Sequence, residues 1–426
     1  MSLLKSFSKI ILRYKKSVQG LKANWRQFYL LVLINAFVGS MIGLERAVLP
    51  GLAETLGINS YTALLSFIIA FGSVKALFNL VAGKLANRYN RRRVLLIGWA
   101  AALPVPYLLM YAQEWSWVIA ANILLGINQG LAWSATVMMK IDLVGEKDRG
   151  FAMGLNEFAG YLTVGFAAFL ATQIASAKGF SFYPFLPGIL FSMGGLILTL
   201  LFVKDTERHV QVEAQQSKQS ILKCIWKQTT FQHYNLGSVT ISGFINNLND
   251  GVIWGLLPVL LLNKQFNLSE IGLLAGVYPA VWGLGQMATG KMGDVFCKKQ
   301  LITTGMLLQA IGLLLLTYAS NFYMALAAMV LMGLGTALVY PNFLTVIAEH
   351  THPQQRSESL SIFRFWRDSG YVAGALLSGF LADKFGLSVT FVFVAALTGA
   401  GGLLAHLRMC CTAKFLWKST RCPELR

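Results

Sequence analysis

Arg364, Arg367, Asp368 and Tyr371 fall at i, i+3, i+4 and i+7 of one long apolar stretch, a spacing that gathers them on one face of a helix. Guanidinium groups grip carboxylates and phosphates, and a carboxylate in dry surroundings exchanges a proton within reach of neutral pH. Arg364 and Asp368 are spaced to pair within their own helix, which would neutralise the cluster. Arg367 has no such partner and looks to another helix or to a solute. A second stretch aligns Asn246, Asp250 and Trp254, and Asp250 is the first candidate for a proton-titrating or cation-binding carboxylate. It could equally be a permanent counter-charge to Arg46 or Arg367. Glu45 and Arg46 are adjacent, so they point roughly 100° apart on a helix, as a gate or a structural pair. Lys75 with Asn79 reads as a helix-packing ion pair, and Glu157 faces either a cavity or the preceding helix. Asn128, Gln129, Trp133, Tyr278, Trp282, Gln286, Tyr340 and Asn342 complete a polar and aromatic lining.

The elements that hold these residues are set by composition. Hydrophobic residues make up 55% of the 426 and charged residues 13%, against about 25% charged in a soluble domain. Crossing about 30 Å of hydrocarbon takes roughly 20 apolar residues. Twelve such stretches are visible, the first six within 28–203 and the second six within 236–408. A charge inside one of them costs at least about 2.5–3.5 kcal/mol, so it faces a watery cavity or a partner. The net charge of +18 does not indicate nucleic acid, because 29 of the 36 Lys and Arg lie on one side of the expected membrane. The positive-inside rule puts that side, and both termini, in the cytosol. Segment 1–27 alternates apolar and basic residues at helical spacing, as an amphipathic helix on the inner membrane surface does. Segment 204–235 is a polar linker whose part from Ile221 suits a second surface-lying helix, and 409–426 is a tail. The five cysteines map to the cytosolic side and no disulfide is expected, nor does any Cys/His spacing suit a metal or cofactor.

The chain also repeats itself. GKLANRYNRR from Gly83 returns as GKMGDVFCKK from Gly290, 207 residues on, and at the same offset Gly126 matches Gly333, Asp142 matches Glu349 and Arg149 matches Arg356. So long a period means a duplicated half rather than a solenoid, and parallel halves in a membrane usually enclose a central site. Glycines four apart (Gly39 with Gly43, Gly126 with Gly130, Gly150 with Gly154, Gly370 with Gly374) mark close helix packing.

The Gly83 phrase resembles the signature loop between the second and third helices of the major facilitator superfamily (MFS), Gly-x-x-x-Asp-Arg/Lys-x-Gly-Arg-Arg/Lys, and the Gly290 phrase stands at the equivalent loop of the second half. The resemblance covers the whole chain and implies an all-α membrane protein of twelve helices in two pseudo-symmetric six-helix halves. It also implies a conformational latch at Gly83, Asn87, Arg88, Arg91, Arg92, Gly290 and Asp294, closing the cytosolic side. Here the chain departs from the pattern: Asn87 replaces Asp and Asn90 replaces Gly, so the first latch should be weaker. The fourth-helix phrase Arg-x-x-Gln-Gly lacks its Arg at Gly126, and the fifth-helix phrase of drug antiporters is not found in 150–165. The resemblance implies no enzyme but a secondary active transporter working by alternating access, proton-coupled and exporting a small organic molecule. Its alternative is a transporter of an anionic or zwitterionic metabolite, and more remotely a transporter-like receptor or a lipid translocator. Candidate substrate and proton residues are Asp250, Arg364, Arg367, Asp368, Glu45, Arg46, Asn246, Gln129, Trp254 and Tyr371. The expected setting is a monomer in a bacterial inner membrane, with protons, solute and lipid as partners.

Overall fold

A computed structural model describes residues 20–46, 48–58, 61–145, 148–216 and 220–411, in which every regular element is helical. Most of the expected N-terminal surface helix and the tail with Cys422 lie outside the described residues. Twelve long helices follow in order: α1 (Leu21–Arg46), α2 (Tyr61–Tyr89), α3 (Arg91–Met110), α4 (Trp115–Val144), α5 (Arg149–Lys178), α6 (Tyr183–Phe202), α7 (Tyr234–Asn263), α8 (Leu268–Val295), α9 (Lys298–Thr317), α10 (Phe322–Glu349), α11 (Arg356–Phe385) and α12 (Leu387–Arg408). Nine of them are long and apolar enough to cross a membrane among the described residues; the other three are α7, α8 and α11. The last carries Arg364, Arg367 and Asp368, so polarity, not length, sets it apart.

Local chemistry explains the interruptions. Leu103 and Pro104 bend α3, because proline has no N–H to donate and its ring crowds the preceding turn. In α4 the segment Gln129–Trp133 is a π-turn, a form that often accompanies function. Asn267 and Glu270 close a reciprocal capping box at the start of α8. The linker forms a helix, Glu207–Gln216, but the expected second surface helix is only Ile225–Lys227 followed by a π-turn to Gln232.

Within the first half α1 packs on α5, and in the second α7 packs on α11. The halves join where α2 meets α11 and α5 meets α8. The paired glycines serve this packing: a methyl added at any of the eight would run into a neighbouring helix. One expectation needs correction. Cys297, before α9, and Cys411, after α12, are brought together where no pairing was expected, with Cα atoms 5.7 Å apart, a separation that permits a bridge without backbone movement.

Candidate functional site

The helix ends define two faces, and the face carrying the Gly83 and Gly290 loops is the basic one. Eight residues in from it along α5 and α11, about 12 Å at 1.5 Å per residue, stand Glu157 and Arg364, both buried. Arg364, Arg367 and Lys140 all act electrostatically on Glu157. Glu157 Oε1 accepts hydrogen bonds from Trp133 Nε1 at 3.2 Å and from Asn156, while its Oε2 has no protein partner. Arg364 Nε and Nη1 are likewise unpartnered, as are both amide atoms of Gln286, the carbonyl oxygen of Asn342 and the Ser361 hydroxyl. Buried polar atoms normally find partners. The free atoms of Glu157, Arg364, Gln286 and Asn342, on α5, α11, α8 and α10, leave hydrogen-bonding capacity that a polar guest can use.

One turn further in, α11 supplies a tight cluster. Asp368 Oδ1 binds Arg367 Nη1 at 2.9 Å, and its Oδ2 lies 3.5 Å from Lys75 Nζ and accepts from Asn79 Nδ2 at 2.5 Å. Asn79 in turn accepts from Ser134 of α4 at 2.9 Å. This corrects the pairing expected from spacing: Arg367, not Arg364, holds Asp368, because α2 brings Lys75 and Asn79 to the opposite oxygen. The Arg367 guanidinium also lies 4.2 Å from the Tyr340 ring centroid, a cation–π contact strengthened by loss of water.

Aromatic rings form a layer across the seam. Trp133 and Tyr161 of the first half meet Trp282 of α8, with centroids 5.7 Å apart for Trp133–Tyr161 and 3.9 Å for Tyr161–Trp282. Trp282 continues to Tyr278 at 5.9 Å and Tyr340 at 6.5 Å. Tyr278 donates its hydroxyl to Asp250, which is buried at the middle of α7 and within the electrostatic reach of Arg367, Lys75 and Asp368. Asp250, Arg364, Arg367 and Asp368 are thus brought together.

Other expected residues fall elsewhere. Asn246 accepts from Gln309 of α9 at 2.9 Å, within a polar contact that also holds Asn249 and Thr398. Gln129 donates to the Val38 carbonyl at 2.8 Å. Trp254 is 46% exposed, and Tyr371 lies half-buried in the α2–α11 seam against Gly72. Glu45 is buried near the end of α1 and the Arg46 side chain lies outside the described part. Lys140 and Tyr161 escaped the sequence reading. Ile141, Leu143 and Val144 follow Lys140 in α4, a signal that it lies inside a helix; it donates to Asn156 and, at 3.2 Å, to the Leu31 carbonyl.

At the basic face the repeated loops hold the halves together unequally. Asp294 Oδ1 and Oδ2 accept from the Gly150 and Phe151 amides at 2.8 and 3.0 Å, a carboxylate at a helix N-terminus. Gly290 meets Gly150 and Gly154 so closely that a side chain would strike backbone. In the first copy Gly83 sits against Ser357 and Ser361 of α11, but Asn87 and Arg88 are exposed. Arg91 takes over: Nη2 donates to Ser357 at 3.0 Å, and Nε lies 3.1 Å from Asp142 Oδ2 as an ion pair without hydrogen-bond alignment. Its repeat equivalent, Lys298, pairs with Glu349 at 2.9 Å. Arg92 binds the end of α6 through the Leu200 carbonyl at 2.7 Å. Between these, Glu213 of the linker helix bridges two repeat-related arginines, Arg149 at 3.1 Å and Arg356 at 2.6 Å.

A family profile described as Major Facilitator Superfamily matches residues 28–234 and 239–417. The chain belongs to the major facilitator superfamily. It is a multi-pass membrane transporter of that family and not an enzyme. Among this transporter's curated relatives, a "Multidrug resistance protein MdtG" of Proteus mirabilis is 24% identical over 406 residues, 88% of this chain and 93% of that one. A "Multi-drug resistance efflux pump PmrA homolog" of Lactococcus lactis is 22% identical and covers 87% and 93%. Its fold matches the human organic anion transporter MFSD10 (TM-score 0.74, 16% identity, 89% of this chain and 99% of that one). It also matches the transporter FucP in an outward conformation (TM-score 0.73, 13% identity, 90% and 98%).

Proposed function

We propose that this transporter is proton-coupled and exports a small organic molecule by alternating access, with the basic face in the cytosol of a bacterial inner membrane. The observation that carries the reading is Asp250: a buried carboxylate at mid-helix, held by Tyr278 beside an aromatic layer that spans both halves. Proton gain at such a carboxylate changes the charge of the layer's surroundings and so links protonation to solute binding. The named activity of the relatives, multidrug resistance, and a ring layer able to stack planar solutes support export. Asn79 and Lys75 with Asp368, Arg91 with Ser357, and Asp294 with Gly150 and Phe151 join the halves from mid-membrane to the basic face. A cytosolic basic face therefore corresponds to a state closed to the cytosol.

A second reading, transport of an anionic or zwitterionic metabolite, is favoured by the unpartnered Arg364 Nε and Nη1. Purified protein in liposomes separates the two. With an imposed pH gradient, ethidium should accumulate against its own gradient, and Asp250→Asn should cut the rate at least tenfold. Transport indifferent to pH and to Asp250→Asn combined with Asp368→Asn sinks the proton-coupled proposal. Preferential uptake of benzoate over ethidium, lost in Arg364→Ala, supports the second reading instead.

A further inference from the structure

We infer that the protein holds an anionic phospholipid headgroup in a pocket at the basic face, between the start of α1 and the end of α6. The pocket has a volume of about 610 Å³ and is lined by four cations, Lys22, Arg26, Lys204 and Arg208, against a single carboxylate, Asp205. That carboxylate is engaged already, accepting from the Arg92 amide at 3.0 Å and the Glu207 amide at 2.8 Å. The pocket therefore presents uncompensated positive charge.

Its position is that of a headgroup rather than of a free solute. Trp25 lines it, is 52% exposed and stacks under Arg26 at 5.5 Å, as aromatic side chains do at a membrane–water boundary. Further along α1 and α6, Tyr29, Leu33, Leu201 and Phe202 are all exposed, apolar surface on which acyl chains can lie. The geometry is built: α1 breaks helical conformation at Asn24, whose amide donates to the Leu143 carbonyl at 3.0 Å. Gln27 then locks α1 to α6, donating to the Phe202 carbonyl and accepting from the Lys204 amide, both at 2.9 Å. Phosphate oxygens between guanidinium and ammonium groups, with chains on apolar surface, satisfy charge and hydrophobicity together. Because Asp205 and Leu200 also anchor Arg92, a lipid bound here lies one residue from the first latch loop.

Native mass spectrometry of the full chain, released from nanodiscs of phosphatidylglycerol and phosphatidylethanolamine, tests this. Wild type should retain phosphatidylglycerol. Lys204→Ala with Arg208→Ala should bind it about twenty-five-fold more weakly, each charge near an anionic surface contributing roughly a fivefold factor. Charge-preserving Lys204→Arg with Arg208→Lys should restore retention. The alanine pair should unfold at the wild-type temperature in phosphatidylethanolamine alone, which separates lost binding from lost fold. Equal retention by the alanine pair overturns the inference. So does equal affinity for glycerophosphoglycerol or inorganic phosphate, since the pocket would then be an anion site without lipid.

Discussion

Asn90 has φ 77° and ψ 161°, a backbone region that belongs almost wholly to glycine, at the place where the family phrase has glycine. Its side chain repays part of the strain by accepting from the Arg93 amide at 3.0 Å. Asn90→Gly should therefore stabilise the protein by about 1 kcal/mol, strain of 1–3 kcal/mol less a lost cap, read as a higher unfolding temperature in detergent. His233 offers a pH prediction. Burial, with the neighbouring His350 adding to it, lowers its pKa to about 4, and Nδ1 accepts from the Asn235 and Leu236 amides. A depressed histidine pKa means the folded state favours the neutral ring. Stability from this group is whole above pH 6.5 and is lost as pH falls towards 4. His233→Asn, which keeps a cap, should flatten stability between those pH values; an unchanged slope would rule the group out. Charge positions were legible at this scale because ionisable residues stand out in apolar runs. Their pairing was not: spacing within α11 favours Arg364 with Asp368, and only Lys75 and Asn79 from a helix 289 residues away in sequence reverse it.

The α5–α8 seam depends on what glycine leaves out. At Gly154 a Cβ would strike the Gln286 carbonyl oxygen, and at Gly290 the Gly150 carbonyl oxygen. Gly290→Leu should hold these helices apart, and amide exchange at Gly150 and Phe151 should quicken at least tenfold as they lose Asp294. Asp294→Ala should do the same without adding bulk, whereas exchange in the middle of α10 should stay as it is. The α2–α11 seam relies on serines and Arg91 instead, so Asn87→Ala should leave exchange at the start of α11 unaltered. Helix number, order and the twofold repeat were readable because apolar length and the 207-residue offset are one-dimensional signals. The contacts that close the basic face are not, since Arg91 serves Ser357 across 266 positions in sequence.

The whole molecule is two halves closed at one face, and Glu213 sits where they meet. Arg149 and Arg356 are almost wholly buried, with side-chain exposures of 1% and 4%. Breaking a buried charge network costs about 3–5 kcal/mol because it strands the remaining charges. Glu213→Gln should lower the unfolding temperature and speed amide exchange in the first turns of α5 and α11 together; acceleration in one helix alone would show that the carboxylate does not bridge. Repeat symmetry gives this contact a further meaning. Arg149 and Arg356 are copies of one another, but Glu213 belongs to neither copy. Two identical halves assembling as separate chains supply partners in even numbers, so a carboxylate near their axis would arrive with its twin and meet it as a like charge. A single fused chain can place an odd number there. The linker thus does more than tether: it supplies the one group that a symmetric pair of halves has no means of providing.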